Sequence, residues 1–224
     1  MVTPEMERIL AAWEETGWVP EPDAKRLFAL AGFDVPRFTW AKTPGEACRF
    51  AAETGYPVVA KVVSPRIMHK SDVGGVEVGI ANDEQLRAAF DRFSALDGFE
   101  GMVVDETISG AELIVGATVD AQFGPVVLLG AGGIGVELYR DTAIRMAPIE
   151  QKDVLSMMNS LTAHRLFEGF RGSEPVDIGI LSSLVVNFSH LAMALESRIE
   201  SIDLNPVMCT SKRCVIADAR IILT

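Results

Sequence analysis

Cysteine is scarce in this 224-residue chain: Cys48, Cys209 and Cys214 are its three, too few and too scattered for a disulfide framework. Cys209 and Cys214 could meet across a short hairpin, but without further ligands beside them they make a poor zinc site. All three read as reduced thiols of a cytoplasmic protein. Positive charge is also in short supply. Twenty Lys and Arg stand against 31 Asp and Glu, a formal charge of −11, which repels nucleic-acid backbones and anionic lipid at long range. Neither nucleic acid nor a membrane is therefore an expected partner, and any anion site has to be local. No apolar run approaches the roughly 20 residues that span a bilayer. Glu5 and Glu7 stand where a signal peptide would carry positive charge.

What is present is an ordinary globular composition, 49% hydrophobic and 23% charged. Thr3-Pro4 opens a helix that Gly17 stops, and Gly17 to Pro22 reads as a linker. Helices are expected from about Asp23 to Ala31 and from Thr43-Pro44 to Thr54, with an extended piece from Val35 to Thr39 between them. Strands at Val58–Val63 and Val76–Ile80 precede a helix capped by Asn82 or Asp83, with Leu86, Phe90 and Phe93 on its apolar side. Further strands fall at Met102–Val104, Glu112–Val119 and Pro125–Leu129. Helices follow at about Lys152–Asn159 and Thr162–Phe167, then a long one capped by Asp177, and strands at Ile199–Leu204 and Val215–Ile221 close the chain. The alternation implies an α+β fold in two parts, residues 1–104 and 105–224.

The stretch from Lys61 to Val76 is the most informative. A strand delivers Lys61, a loop carries Arg66, His69 and Lys70, and Gly74-Gly75 leads into the next strand. Basic groups offer charge to phosphoryl oxygens, glycines allow close backbone approach, and histidine adds a nucleophilic nitrogen. The alternative is a plain hairpin with a solvated tip. Downstream, Gly130-Ala131-Gly132-Gly133-Ile134-Gly135 either binds something with its backbone or makes a tight connection, and Arg140 and Arg145 follow it. Near the end, Asp203 and Asn205 share one face of a strand that turns at Asn205-Pro206, and Asp218 can lie opposite them. Such oxygen donors suit Mg²⁺, although hairpin carboxylates and amides are also common turn-formers. His164 and His190 have no carboxylate or cysteine at ligand spacing and read as packed or surface residues.

In this order, the motifs Gly55-Tyr56-Pro57-Val58-Val59, Ser64-Pro65, His69-Lys70-Ser71-Asp72-Val73-Gly74-Gly75-Val76, Glu112-Leu113-Ile114-Val115-Gly116, Phe123-Gly124-Pro125-Val126-Val127 and Asp203-Leu204-Asn205-Pro206-Val207 resemble the ADP-forming acyl-CoA synthetases. These are ATP-grasp proteins, and the resemblance to the β subunits of ADP-forming acetate–CoA ligases, relatives of succinyl-CoA synthetase, is close. The resemblance implies two α+β subdomains that clamp a nucleotide, with ATP or ADP and Mg²⁺ as its ligands. It implies that Lys61 contacts nucleotide phosphates, beside which Arg66, Gly74 and Gly75 of the loop are further nucleotide-binding candidates, that the backbone from Asp105 through Glu106 and Thr107 to Ile108 receives adenine, and that Glu112 binds the ribose. By the same resemblance Asn205 and Asp218 are Mg²⁺ ligands, Asp203 faces an arriving phosphohistidine, and His69 accepts a phosphoryl group in transit. Nothing in the chain resembles a CoA-binding Rossmann unit or a flavodoxin-like phosphohistidine unit. The implied partner is an α subunit that carries both, in an α2β2-type heteromer. The expected activity is reversible formation of ATP from acyl-CoA, ADP and phosphate. The readings weighed against it are a non-catalytic nucleotide sensor and the same chemistry on an aryl or branched-chain acid.

Overall fold

The computed structural model describes residues 2–132, 141–169 and 174–224; Gly133, Ile134, Gly135 and Arg140, singled out above, lie outside them. The chain divides into two compact units that are not sequential parts. Met1–Val19, Asp23–Val35 and Ser109–Thr224 form one, and Pro20–Pro22 with Pro36–Ile108 form the other. A boundary after residue 104 therefore misplaces the first helices, whose Met6, Leu10, Leu27 and Phe28 are buried in the core of the first unit.

Helix α1 (Pro4–Ala11) begins where the Met6 amide donates to the Thr3 hydroxyl, and Pro4 occupies a position that needs no N–H donor. The expected linker is structured. Trp18–Val19 forms a short strand, β1, paired with Ile222 and Ile221 at the end of the chain, and α2 (Glu21–Leu30) starts at Glu21. Pro22 is tolerated because it sits in the first helical turn.

The second unit contains β2 (Phe38–Ala41), α3 (Pro44–Thr54), β3 (Val58–Val63), β4 (Val76–Ile80), α4 (Asp83–Ser94) and β5 (Gly101–Glu106). Its antiparallel sheet has the order β2-β5-β3-β4. The caps follow the sequence: the Glu46 amide donates to Thr43, and the Gln85 amide to Asn82. Ala47 and Ala51 of α3 and Leu86, Phe90 and Phe93 of α4 share a core with Val58, Ala60 and Val62 of β3 and with Met102 and Val104 of β5. The alternate residues Val59, Lys61, Val103 and Asp105 consequently point to the opposite face of the sheet.

The first unit resumes with β6 (Ala111–Asp120), β7 (Gly124–Ala131), β8 (Thr142–Met146), α5 (Gln151–Ser160), α6 (Ile178–Ala194), β9 (Ile199–Cys209), β10 (Cys214–Ile216) and β11 (Arg220–Leu223). Among the described residues its sheet runs β1-β11-β9-β6-β7-β8, with β10 added on β9. Leu181, Val185 and Phe188 of α6 are buried in one core with Leu113, Val115, Val127, Leu129, Ile202 and Leu204. The helix expected at Thr162–Phe167 is a 3₁₀ turn, His164–Leu166, and the Asp141 carboxylate takes the amides of Thr162 and Ala163 just before it at 2.7 Å each.

Strand β9 does not turn at Asn205-Pro206. It runs on to Cys209 and reverses at Thr210–Arg213, where the Thr210 amide donates to the Arg213 carbonyl. A register shift against β6, between the pairs Leu113↔Val207 and Val115↔Leu204, absorbs the proline that cannot donate to a ladder. Cys209 and Cys214 stand opposite each other across this hairpin, and both are buried and unbridged. The hydrogen bond with Cys214, together with burial, pushes the Cys209 thiol up, which keeps it protonated and unreactive.

Phe188 is fully buried and stacks on Phe28 at 6.4 Å between ring centroids. Phe188→Ala is expected to cost about 3–5 kcal/mol, the usual range for emptying an aromatic site, measured as a lowered urea midpoint for the first unit.

Candidate active site

In the second unit, β3 and β5 place Lys61 and Asp105 on the same face. Lys61 pairs with Val103 and Asp105 with Val59, so the two are diagonal neighbours across the ladder. The Lys61 ammonium lies 3.0 Å from Asp105 Oδ2 and 2.6 Å from Glu21 Oε1, and Glu21 Oε2 lies 2.5 Å from Lys70 Nζ. Glu21, Lys61 and Asp105 are all buried. Two cations and two carboxylates thus meet at Lys61, where the sequence suggests a basic stretch of Lys61, Arg66 and Lys70. Glu21, read as part of a linker, was missed. Forty positions separate it from Lys61, and no local pattern links them.

The loop after β3 is anchored on both sides. Buried Ser64 donates to the Asp97 carbonyl and accepts the Arg66 amide, and Ile67 packs against the core. Further along, Lys70 is tied to Glu21, and the Gly75 amide donates to the Lys70 carbonyl at 2.7 Å. Met68 and His69 are left exposed at the crest. Arg66 turns to an exposed ion pair with Asp97 at 3.0 Å, a different carboxylate from those at Lys61. The glycine pair has structural duties. Gly74 adopts φ +66°, and a Cβ on Gly75 would come within 2.5 Å of Val62 Cγ1.

At the end of β5 the expected adenine segment carries other contacts. Arg37 Nε donates to Glu106 Oε2 at 3.1 Å, and the two residues also exchange backbone contacts. Thr107 Oγ1 donates to the Pro57 carbonyl at 2.8 Å. Ile108 is the last residue of the second unit, so the chain passes from one unit to the other along this segment.

In the first unit, the side of the sheet away from α6 carries Glu112, Ile114 and Thr118 from β6 and Ser201, Asp203 and Asn205 from β9, while Leu113, Val115, Ile202 and Leu204 are buried. The register aligns Asp203, Gly116, Leu128 and Ile144 across four strands. Ile114, Gly116, Val126, Leu128, Ile144 and Asp203 line a concavity of about 240 Å³. Arg220 pairs with Asp203 in register, and its guanidinium reaches Asp203 Oδ2 at 3.4 Å. The pairs Ile216↔Val207 and Arg220↔Asp203 bracket Asp218, which places it opposite Asn205. Of the glycine run, Gly130 and Gly132 serve close packing: a Cβ on Gly130 would meet the Asp141 carbonyl at 2.8 Å, and one on Gly132 the Glu112 backbone at 2.7 Å.

Asn205 and Asp218 offer an amide oxygen and a carboxylate, hard donors of the kind Mg²⁺ takes. No cluster of three or more acidic, histidine or cysteine side chains suited to a metal occurs among the described residues. Two protein oxygens fit an ion that takes its remaining ligands from nucleotide phosphates and water.

A family model described as an ATP-grasp domain matches residues 11–223. The chain belongs to the ATP-grasp family. It is 41% identical over 211 residues to the β subunit of ADP-forming acetate–CoA ligase I of Pyrococcus furiosus, covering 91% of this chain and 90% of that subunit. It is 36% identical to the ADP-forming 4-hydroxybutyrate–CoA ligase of Nitrosopumilus maritimus, covering 90% of this chain but 30% of that longer protein. The dinucleotide-forming acetyl-coenzyme A synthetase 1 of Ca. Korarchaeum cryptofilum is similar in structure, with a TM-score of 0.85 and 37% identity over 98% of this chain and 100% of that one. That structure holds coenzyme A and Mg-AMPPCP, and its phosphohistidine segment points towards the nucleotide-binding site. The α+β, ATP-grasp expectation is borne out.

Removing the Lys61 charge takes a shared cation away from two buried carboxylates, Glu21 and Asp105. Lys61→Met is expected to destabilise the second unit by about 3–5 kcal/mol, the cost of breaking a buried ion pair from one side. Hydrogen exchange of the β3 and β5 amides in the variant and parent checks it.

Proposed function

We propose that this chain is the nucleotide-handling β subunit of an ADP-forming acyl-CoA synthetase, acting with an α subunit that supplies the CoA site and a phosphohistidine. One observation carries the reading: the chain is similar over almost its full length to a protein that is itself a β subunit. The residue types fit the task. The α subunit's phosphohistidine gives up its phosphoryl group directly or through His69, and the P–N bond breaks as an ADP β-phosphate oxygen forms the new P–O bond. Imidazole suits this relay because its neutral nitrogen attacks phosphorus and later leaves readily. Such transfers depend mainly on positioning and on offsetting charge around the moving group.

In this scheme Lys61 faces the nucleotide phosphates, and Arg66, Gly74 and Gly75 border them. The segment from Asp105 to Ile108 receives adenine, and Glu112 holds the ribose hydroxyls. Asn205 and Asp218 hold Mg²⁺, which when bound offsets phosphate charge. Asp203 faces the arriving phosphohistidine, with Arg220 fixing its carboxylate through the ion pair described above. Acetate is the proposed acid, by similarity to the acetate–CoA ligase subunits, and α2β2 is the proposed assembly, as the sequence motifs imply.

The test is reconstitution. The chain is co-purified with its α subunit, and ATP formation is followed from acetyl-CoA, ADP and phosphate. ATP should form only when all three are present, and the absence of nucleotide-dependent turnover across a panel of acyl-CoAs would overturn the proposal. In the same complex, His69→Ala should keep its nucleotide affinity but lose turnover by on the order of 10²–10⁴-fold, the range for removing a group that takes part in the reaction.

A further inference from the structure

Glu21 makes contacts that capping a helix does not require. Its carboxylate is buried, and each oxygen holds a different lysine, Lys61 at 2.6 Å and Lys70 at 2.5 Å. Lys61 sits on the rigid strand β3, whereas Lys70 belongs to the loop and directly follows His69. Two ammonium groups drawn this close repel each other in a poorly solvated site, and a carboxylate between them turns that repulsion into two charge-assisted hydrogen bonds.

The loop has its other anchors at Ser64 and Ile67, before the crest. After the crest, the Lys70 carbonyl accepts the Gly75 amide, and the Gly75 carbonyl accepts the Val62 amide at 2.8 Å. Gly75 is therefore the point where the loop returns to β3, and the Lys70 backbone is one hydrogen bond away from it. The Glu21 carboxylate fixes the Lys70 side chain from a separate element, the start of α2.

We propose that Glu21 is a positioning residue for phosphoryl transfer: by bridging Lys61 and Lys70 it sets the height and direction at which the loop presents His69. This rests on the proposed role of His69 as a phosphoryl acceptor. Glu21 itself acts through the two lysines. The neutral isostere glutamine offers one acceptor oxygen and no charge, so it can hold one lysine while releasing the other. Aspartate keeps the charge but is one methylene shorter and does not reach both.

The test uses the complex with the α subunit and the variants Glu21→Gln, Glu21→Asp, Lys70→Gln, Glu21→Gln/Lys70→Gln and His69→Ala. Glu21→Gln should lower kcat for ATP formation by about 10–100-fold, the scale of a small misplacement of a reacting group, and leave the KM for ADP nearly unchanged. Lys70→Gln should match it, the double variant should be no worse than the poorer single one, and Glu21→Asp should fall between Glu21→Gln and the parent. Amide exchange over residues 68–73 should rise in Glu21→Gln while α3 and α4 stay protected. Parental kcat in Glu21→Gln beside an inactive His69→Ala overturns the inference and leaves the proposed function standing. Exchange that rises equally in α3 and α4 also overturns it, since Glu21 would then serve stability alone. A fully active His69→Ala instead removes the premise that His69 carries the phosphoryl group.

Discussion

A lysine ammonium held between two buried carboxylates constrains everything around it in the second unit. Taking such charges out of water costs several kcal/mol per ion, and only close, well-directed partners recover it. Sheet register supplies one partner, since Lys61 and Asp105 are diagonal neighbours on adjacent strands. The other comes from the start of α2, where Glu21 also reaches Lys70. A slip of one residue between β3 and β5 would turn one of these side chains to the opposite face. The buried charges therefore help to specify the register that the apolar face of Val58, Ala60 and Val62 already favours.

The same alternation organises the first unit to a different end. One face of the sheet, with Leu113, Val115, Ile202 and Leu204, is closed by α6. The other presents Glu112, Asp203 and Asn205 beside the apolar row of Leu128 and Ile144. An open apolar surface with a few acidic and amide groups suits a ligand that has both a flat apolar ring and hydroxyl or amine donors. The Asn205-Pro206 step contributes by its irregularity. The register shift that accommodates the proline leaves Asn205 and Pro206 both outward, between buried Leu204 and Val207, and so Asn205 keeps the face of Asp203.

Much of this is legible in the sequence because it is local. Thr43-Pro44 and Asn82 announce their helices, and the strand carrying Lys61 reads from its valines. The α6 helix reads from its apolar residues behind Asp177. What is not legible depends on distance along the chain. Trp18 and Val19 become a strand only because Ile221 and Ile222 offer an edge some 200 residues later, and Gly17 to Pro22 resembles a linker until that edge exists. Glu21 is inconspicuous as a helix-opening residue, and its second task appears only when β3 and the loop are folded beside it. The same holds for Gly75, whose bare backbone is used by Val62 rather than kept open. Where a glycine reads as room for a phosphate, close packing of the chain on itself gives the same signal.

The charge balance bears on how an anionic nucleotide is received. The formal charges of Glu21, Asp105, Lys61 and Lys70 cancel, so this cluster exerts little attraction at a distance, and the chain as a whole carries −11. A nucleotide therefore approaches against a repulsive field that salt screens within about 8–10 Å. Its binding has to be decided at contact, by oriented donors rather than by net charge. Mg²⁺ bound to the phosphates removes two units of that repulsion before contact. A metal–nucleotide complex is then favoured over the bare nucleotide without an all-protein cage, which is in keeping with the two oxygen donors proposed above, Asn205 and Asp218. The sparse donor set and the acidic composition are consistent with one design, in which the metal arrives with its substrate.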